Sequence, residues 1–300
     1  MKRIHCFFFA FLAHVFATVA IGQADTEFTR VEDVIYGRKH GVALTLDILR
    51  PEKSNGHGVI FIVSGGWYSA KRAIRPKAYS EFLDRGYTLF AVVHGSQPKF
   101  QIPEIEKDIH RAARFIRHNA RKYGINPDKL GVTGGSAGGH LSLMLATRGA
   151  AGDAQDKDKV ERESSAVQAV ACFFPPTDFL NYGREGEDAV GVGTLKNYKA
   201  AFGPTIATVE GRQRLGRAIS PVNFVSEKTP PVLIIHGNAD NLVPIQQAEV
   251  FLKKCEENGV LSKLVTRDGK GHGWKGIDQD MLVLADWFDV HLRGKALDSK

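Results

Sequence analysis

The chain has 300 residues, 43% of them hydrophobic, enough to bury a full core in one large domain. Its formal net charge is +7, from 40 basic and 33 acidic residues, with no run of five like charges, so the basic-patch signature of a nucleic-acid binder is missing. Three cysteines, Cys6, Cys172 and Cys255, lie far apart, and no CxxC or clustered His/Cys spacing suggests a metal site.

At the start of the chain, Lys2 and Arg3 precede an apolar run over residues 6–20, and Gly22, Gln23 and Ala24 offer a small-x-small cleavage site. The run falls short of the roughly 18 to 20 apolar residues that span a bilayer. Residues 1–24 therefore read as a signal peptide, leaving a secreted or periplasmic domain over 25–300 with no membrane span. Loss of Lys2 and Arg3 lowers the charge from +7 to +5, mildly basic and suited to weak attraction for anionic polymers outside a cell. Export permits a disulfide, but Cys172 in an apolar run and Cys255 in a helical one read as two packing thiols.

Residues 42–49 alternate as a strand closed by Arg50 and Pro51. Continuous apolar runs at 59–63, 89–93, 130–133, 167–174 and 232–235 read as strands covered on both faces, with a weaker one at 263–266. Helical spacing occupies 102–123, stopped by Gly124, and recurs at 137–146, 244–258 and 278–292. Strands alternating with helices predict an α/β fold, a mostly parallel central sheet with helices on both faces. Residues 149–165 read as a charged surface loop. Residues 177–225 read as a small cap insertion over the carboxyl edge of the sheet. Its aromatics are scattered among glycines with no sustained apolar helical face, which predicts a shallow polar cap.

Gly134, Ser136 and Gly138 fit G-x-S-x-G between an apolar strand and a helix, the turn that exposes a serine nucleophile at the top of a parallel sheet. Glycines two before and two after the serine let the backbones pass closely. A serine hydroxyl needs a base, usually a histidine oriented by a carboxylate. His272 follows the 263–266 strand, and Asp240 follows the 232–235 strand. Both leave carboxyl ends of strands, where open α/β sheets build their sites. Asp178, after another strand, is the rival acid. Asp240 is preferred because its strand immediately precedes that of His272. Asp268 has only its place in the His272 loop. His140 reads as a local packing or capping residue, His236 as a buttress of the Asp240 turn, and His291 as solvated. Donors for a developing oxyanion come from the N–H of Ala137 and from the loop after residue 63, residues 64–68, with Gly66 and Trp67 as its donors.

The chain resembles the secreted esterase branch of the α/β-hydrolases, near feruloyl and acetyl xylan esterases and the hormone-sensitive-lipase group. The likeness runs over about 42–291. It is carried by residues 46–51 (Leu-Asp-Ile-Leu-Arg-Pro), 134–141 (Gly-Gly-Ser-Ala-Gly-Gly-His-Leu), 164–170, 176–180, 231–240 and 271–274 (Gly-His-Gly-Trp). It implies Ser136, Asp240 and His272 as a catalytic triad, Gly65, Gly66 and Trp67 at the oxyanion loop, and no cofactor. Members commonly open that loop with His-Gly-Gly, whereas this chain has Ser64. The expected activity is hydrolysis of short-acyl esters through an acyl-enzyme, on small esters or acylated polysaccharides. A peptidase or formamidase using the same triad, and a non-catalytic binding module, are the alternatives.

Overall fold

The structure, a computed structural model, describes residues 27–296, and the signal peptide expected over 1–24 lies outside them. The strands are β1 (Phe28–Lys39), β2 (Val42–Pro51), β3 (Gly58–Ile62), β4 (Thr88–Val93), β5 (Leu130–Gly135), β6 (Ala169–Phe173), β7 (Val232–Gly237) and β8 (Ser262–Arg267). They form one sheet in the order β1-β2-β4-β3-β5-β6-β7-β8. β2 runs antiparallel to β1 and β4, and the remaining pairs are parallel. The helices are α1 (Ser80–Asp84), α2 (Ile102–His118), α3 (Ala120–Tyr123), α4 (Ala137–Arg148), α5 (Lys199–Phe202), α6 (Val209–Ile219), α7 (Gln246–Glu257) and α8 (Met281–His291).

Period-two alternation divides the core into two layers. Val170 and Cys172 of β6 pack with Val132, Ile234, Ile105 and Phe251 on the face covered by α2, α4 and α7. Ala169, Ala171 and Phe173 of the same strand pack with Leu233, Leu284 and Phe288 on the face covered by α1 and α8. Central strands buried on both faces explain the uninterrupted apolar runs in the sequence. The fold is that of the α/β-hydrolases, as the resemblance implied.

Four readings change. β1 escapes periodicity because it is an edge strand whose Val31 and Ile35 face solvent, and its ladder to β2 is broken by irregularities after Val31 and Ile35. The expected 102–123 helix breaks at Asn119, whose side-chain amide donates to the Phe115 carbonyl at 2.8 Å. Gly124, at φ 66°, ends α3 as expected. His291 is half-buried, its ring 4.2 Å from that of Trp287, so it packs and is not simply solvated. The 177–225 insertion does carry an apolar helical face: α6 buries Leu215 and Ile219, four residues apart. Cys172 and Cys255 are free, buried thiols.

The parallel register brings the ends of β5, β6, β7 and β8 to one edge, where Gly135 lies opposite Phe173 and Gly237 opposite Arg267. Every loop that follows these strands opens on that edge, and so does the loop after β3.

Candidate active site

Ser136 occupies the sharp turn between β5 and α4 at φ 55°, ψ −120°. A non-glycine residue there carries strain on the order of 1–3 kcal/mol, and persists only where its surroundings hold it. Here the Ser136 N–H donates to the Phe173 carbonyl at 3.0 Å, and the Ser136 carbonyl accepts from the His140 N–H at 2.8 Å. The flanking glycines are required for space. A Cβ on Gly134 would lie 2.7 Å from the Gly138 backbone, and one on Gly138 would lie 2.6 Å from the Ile62 carbonyl oxygen.

The Ser136 hydroxyl donates to Nε2 of His272 at 2.9 Å. On the other side of the ring, Nδ1 donates to Oδ2 of Asp240 at 2.7 Å. These two bonds set the neutral tautomer, with the proton on Nδ1 and a lone pair facing the serine. Asp240 is buried, and its Oδ1 accepts from the N–H groups of Leu242 and Val243, each at 2.9 Å. Burial alone would raise its pKa. The neighbouring His236 and His272 rings and the Val243 N–H outweigh burial and hold the carboxyl well below its usual range. His236 donates through Nε2 to the Val243 carbonyl at 2.8 Å, with Asp240 Oδ2 3.5 Å from the same atom. It buttresses the Asp240 turn, the place expected for it.

The rival acids sit elsewhere. Asp178 folds back on its own segment, accepting from the Leu180 N–H at 3.1 Å and the Asn181 amide at 2.9 Å. Asp268 accepts from Asn238 at 3.0 Å. Neither bonds to His272.

At the loop after β3, the Gly65 N–H is committed to the Tyr68 carbonyl at 3.0 Å. Gly65, expected at the oxyanion loop, therefore shapes the turn, and its N–H is already taken. The N–H groups of Gly66 and Trp67 have no acceptor among the described residues. That of Ala137, first in α4, has none within its helix. Gly66 and Trp67 both have positive φ, 54° and 60°, and the glycine is needed: a Cβ on Gly66 would lie 2.4 Å from the Tyr198 ring.

Three features of the support around the site were not legible in sequence. The Trp67 indole donates to Nδ1 of His140 at 3.1 Å, and Nε2 of His140 donates to the Ile219 carbonyl at 2.7 Å. Burial pushes the pKa of His140 down to about 4, so the ring stays neutral and works as a relay of hydrogen bonds. The insertion aromatics also turn inward: the rings of Phe179, Tyr198 and Phe202 lie 5.9, 6.1 and 5.3 Å from Trp67. Finally, Phe174 turns out of β6 at φ 33° and packs 4.5 Å from the His272 ring. With Ser64 in place of histidine, the loop is supported by the Ser69 hydroxyl donating to the Val63 carbonyl at 2.5 Å and the Gln97 amide donating to the Gly66 carbonyl at 3.2 Å. Among the described residues, no group of three His, Cys, Asp or Glu side chains is arranged to hold a metal.

A family model described as BD-FAE matches residues 46–255. The chain belongs to the BD-FAE family. The matched stretch includes Ser136 and Asp240 and stops short of His272, which the fold returns to the same edge. "Probable carboxylic ester hydrolase LipM" of Mycobacterium tuberculosis is 30% identical to this BD-FAE chain over 230 residues, covering 75% of the chain and 51% of LipM. "Esterase LipQ" of the same organism is 28% identical over 242 residues, 77% of the chain and 53% of LipQ. The chain thus spans about half the length of these curated relatives. Among solved structures, a truncated carbohydrate esterase from gut microbiota superposes with a TM-score of 0.73 at 25% identity, covering 89% of this chain and 98% of that one. Thermogutta terrifontis esterase 2 phosphonylated by sarin superposes with a TM-score of 0.68 at 25% identity, covering 92% and 97%.

Proposed function

We propose that this chain is a secreted serine hydrolase of carboxylic esters, acting through an acyl-enzyme on short-acyl esters such as those of acylated polysaccharides. The observation that carries the reading is the continuous chain from Ser136 through His272 to Asp240, with three uncommitted N–H groups on the two loops flanking the serine. Nε2 of His272 takes the hydroxyl proton as Ser136 Oγ attacks the ester carbonyl carbon. The carbonyl oxygen becomes an oxyanion facing the N–H groups of Ala137, Gly66 and Trp67, each such donor being worth about 3 kcal/mol in the transition state. Collapse breaks the bond to the alcohol, which takes the proton from Nε2 and leaves. Water then repeats the sequence on the acyl-enzyme, releasing the acid and restoring the serine. Asp240 remains ionised throughout and stabilises the imidazolium formed in each half.

The short-acyl reading is supported by the open shape of the cavity beside Ser136, about 540 Å³ and lined by Gly65, Tyr68, Arg72 and Phe174 among others. Each further acyl CH₂ adds about 0.8 kcal/mol, near fourfold in kcat/KM, only while a wall is there to cover it. Across p-nitrophenyl esters of two to twelve carbons, kcat/KM is expected to peak between two and four. A steady rise through ten carbons would make the protein a lipase. Turnover of a matching amide at a rate comparable to the ester would favour the peptidase or formamidase alternative.

Export rests on Lys2, Arg3, the 6–20 apolar run and Ala24. N-terminal sequencing of periplasmic or extracellular material is expected to start at Asp25, and an intact Met1 there would overturn it.

A further inference from the structure

The segment between the oxyanion loop and α1 carries four cations, Lys71, Arg72, Arg75 and Lys77, of which Lys77 lies away from the cavity that Ser136 lines. Lys71 is neutralised, its Nζ 2.7 Å from Glu32 and 2.5 Å from Asp33. Arg72 and Arg75 are different. Both are exposed, both line the cavity that Ser136 opens into, and neither forms an ion pair among the described residues. No carboxylate lines that cavity. The Arg72 guanidinium lies 6.0 Å from the ring centre of Tyr68, at the outer edge of cation–π range, and both side chains line the cavity. Tyr68 is itself 47% exposed. Its neighbour Trp67, by contrast, is buried among the insertion aromatics.

Two unpaired arginines beside a nucleophile, with no acid to quench them, make a local positive potential where the substrate must bind. A guanidinium presents a planar fork that matches a carboxylate. Building on the ester-hydrolase reading, we propose that Arg72 and Arg75 form a subsite for a carboxylate carried by the ester substrate. Ser136, whose Oγ bonds to the acyl carbon, lines this cavity, so the carboxylate is placed on the acyl portion, as in a half-ester of a dicarboxylic acid. A uronic acid on the alcohol side offers the same chemistry from the opposite direction. Hydrolysis itself is unchanged: Ser136 attacks the ester carbonyl while the second carboxylate stays ionised against the arginines.

The test compares two matched pairs by pH-stat at low ionic strength: monomethyl glutarate with methyl pentanoate, and an acetylated methyl glucuronoside with the acetylated methyl glucoside. The readout is the ratio of kcat/KM, charged over neutral, which is independent of how much of each variant is folded. For two exposed charge contacts the ratio for the glutarate pair is expected to be roughly 5 to 30 and to shrink with added salt. It falls to about one in the R72Q/R75Q double variant, and below one in R72E/R75E as repulsion replaces attraction. A preference confined to the glucuronoside pair, and lost in R72Q/R75Q, keeps the subsite and moves it to the alcohol side. A ratio near one in both pairs while the neutral esters turn over, or a preference that survives R72Q/R75Q, overturns the proposal and leaves the esterase reading standing. No turnover of any of the four esters overturns both.

Discussion

Ser136→Ala is expected to lower kcat/KM on the order of 10⁴-fold or more, because the members of a triad act as a unit and in the proposed mechanism the hydroxyl is the group that bonds to carbon. The fold should be retained. Alanine keeps the Cβ that the φ 55° turn already accommodates, and the two backbone bonds holding that turn involve only the N–H and carbonyl of residue 136. Nε2 of His272 loses its partner at a side chain that is 22% exposed, so water replaces the hydroxyl at little cost to stability. A fluorophosphonate probe labels the native protein and not the variant. Activity above about a tenth of native, with thermal unfolding unchanged, would remove Ser136 from the mechanism.

Asp240→Asn is the second large effect, on the order of 10⁴-fold in kcat. The asparagine carbonyl can still accept from Leu242 and Val243, so the turn survives, but its amide then faces Nδ1 of His272. Two N–H groups cannot bond to each other. The ring therefore moves its proton to Nε2 and presents a donor to Ser136 where a lone pair is needed. Stability responds to pH in a defined direction. Asp240 has its pKa depressed by folding, so its contribution is fully present above the ordinary aspartate value near 4. It is lost as pH falls through the lower folded value. D240N lacks this contribution, and its unfolding midpoint should fall less than that of the native protein as the solution is taken below about pH 4. Asp178→Asn serves as the comparison, since the bonds of its carboxylate stay within residues 178–181. Greater damage from D178N than from D240N, with both folded, would reassign the acid.

Much of the site was legible in the sequence because its signals are local. A serine between two glycines, preceded by an apolar strand and followed by a helix, can be read without knowing what lies across the sheet. The order Ser136, Asp240, His272, each after a strand, follows from parallel topology, since every strand end then reaches the same edge. The central strands were legible for a related reason: burial on both faces writes itself as an unbroken apolar run. β1 was not, because an edge strand paired on one side needs no such run and keeps Val31 and Ile35 in water.

Questions of competition between partners belonged to the tertiary structure. The resemblance places Gly65, Gly66 and Trp67 together at the oxyanion loop, and only the fold turns the Tyr68 carbonyl onto Gly65, leaving Gly66 and Trp67 uncommitted. Asp178 and Asp240 both follow strands, and only one lies within hydrogen-bond reach of His272. His140 and Trp67 are 73 residues apart, and Phe174 and His272 nearly a hundred. The same holds for Lys71, Arg72, Arg75 and Lys77, four like charges in one short segment. Which of them is neutralised depends on Glu32 and Asp33, brought there by a strand that the sequence pattern did not reveal. Periodicity and motif report which groups a segment presents. Which of those groups remain unpaired depends on atoms from distant segments, and so the tertiary structure decided it.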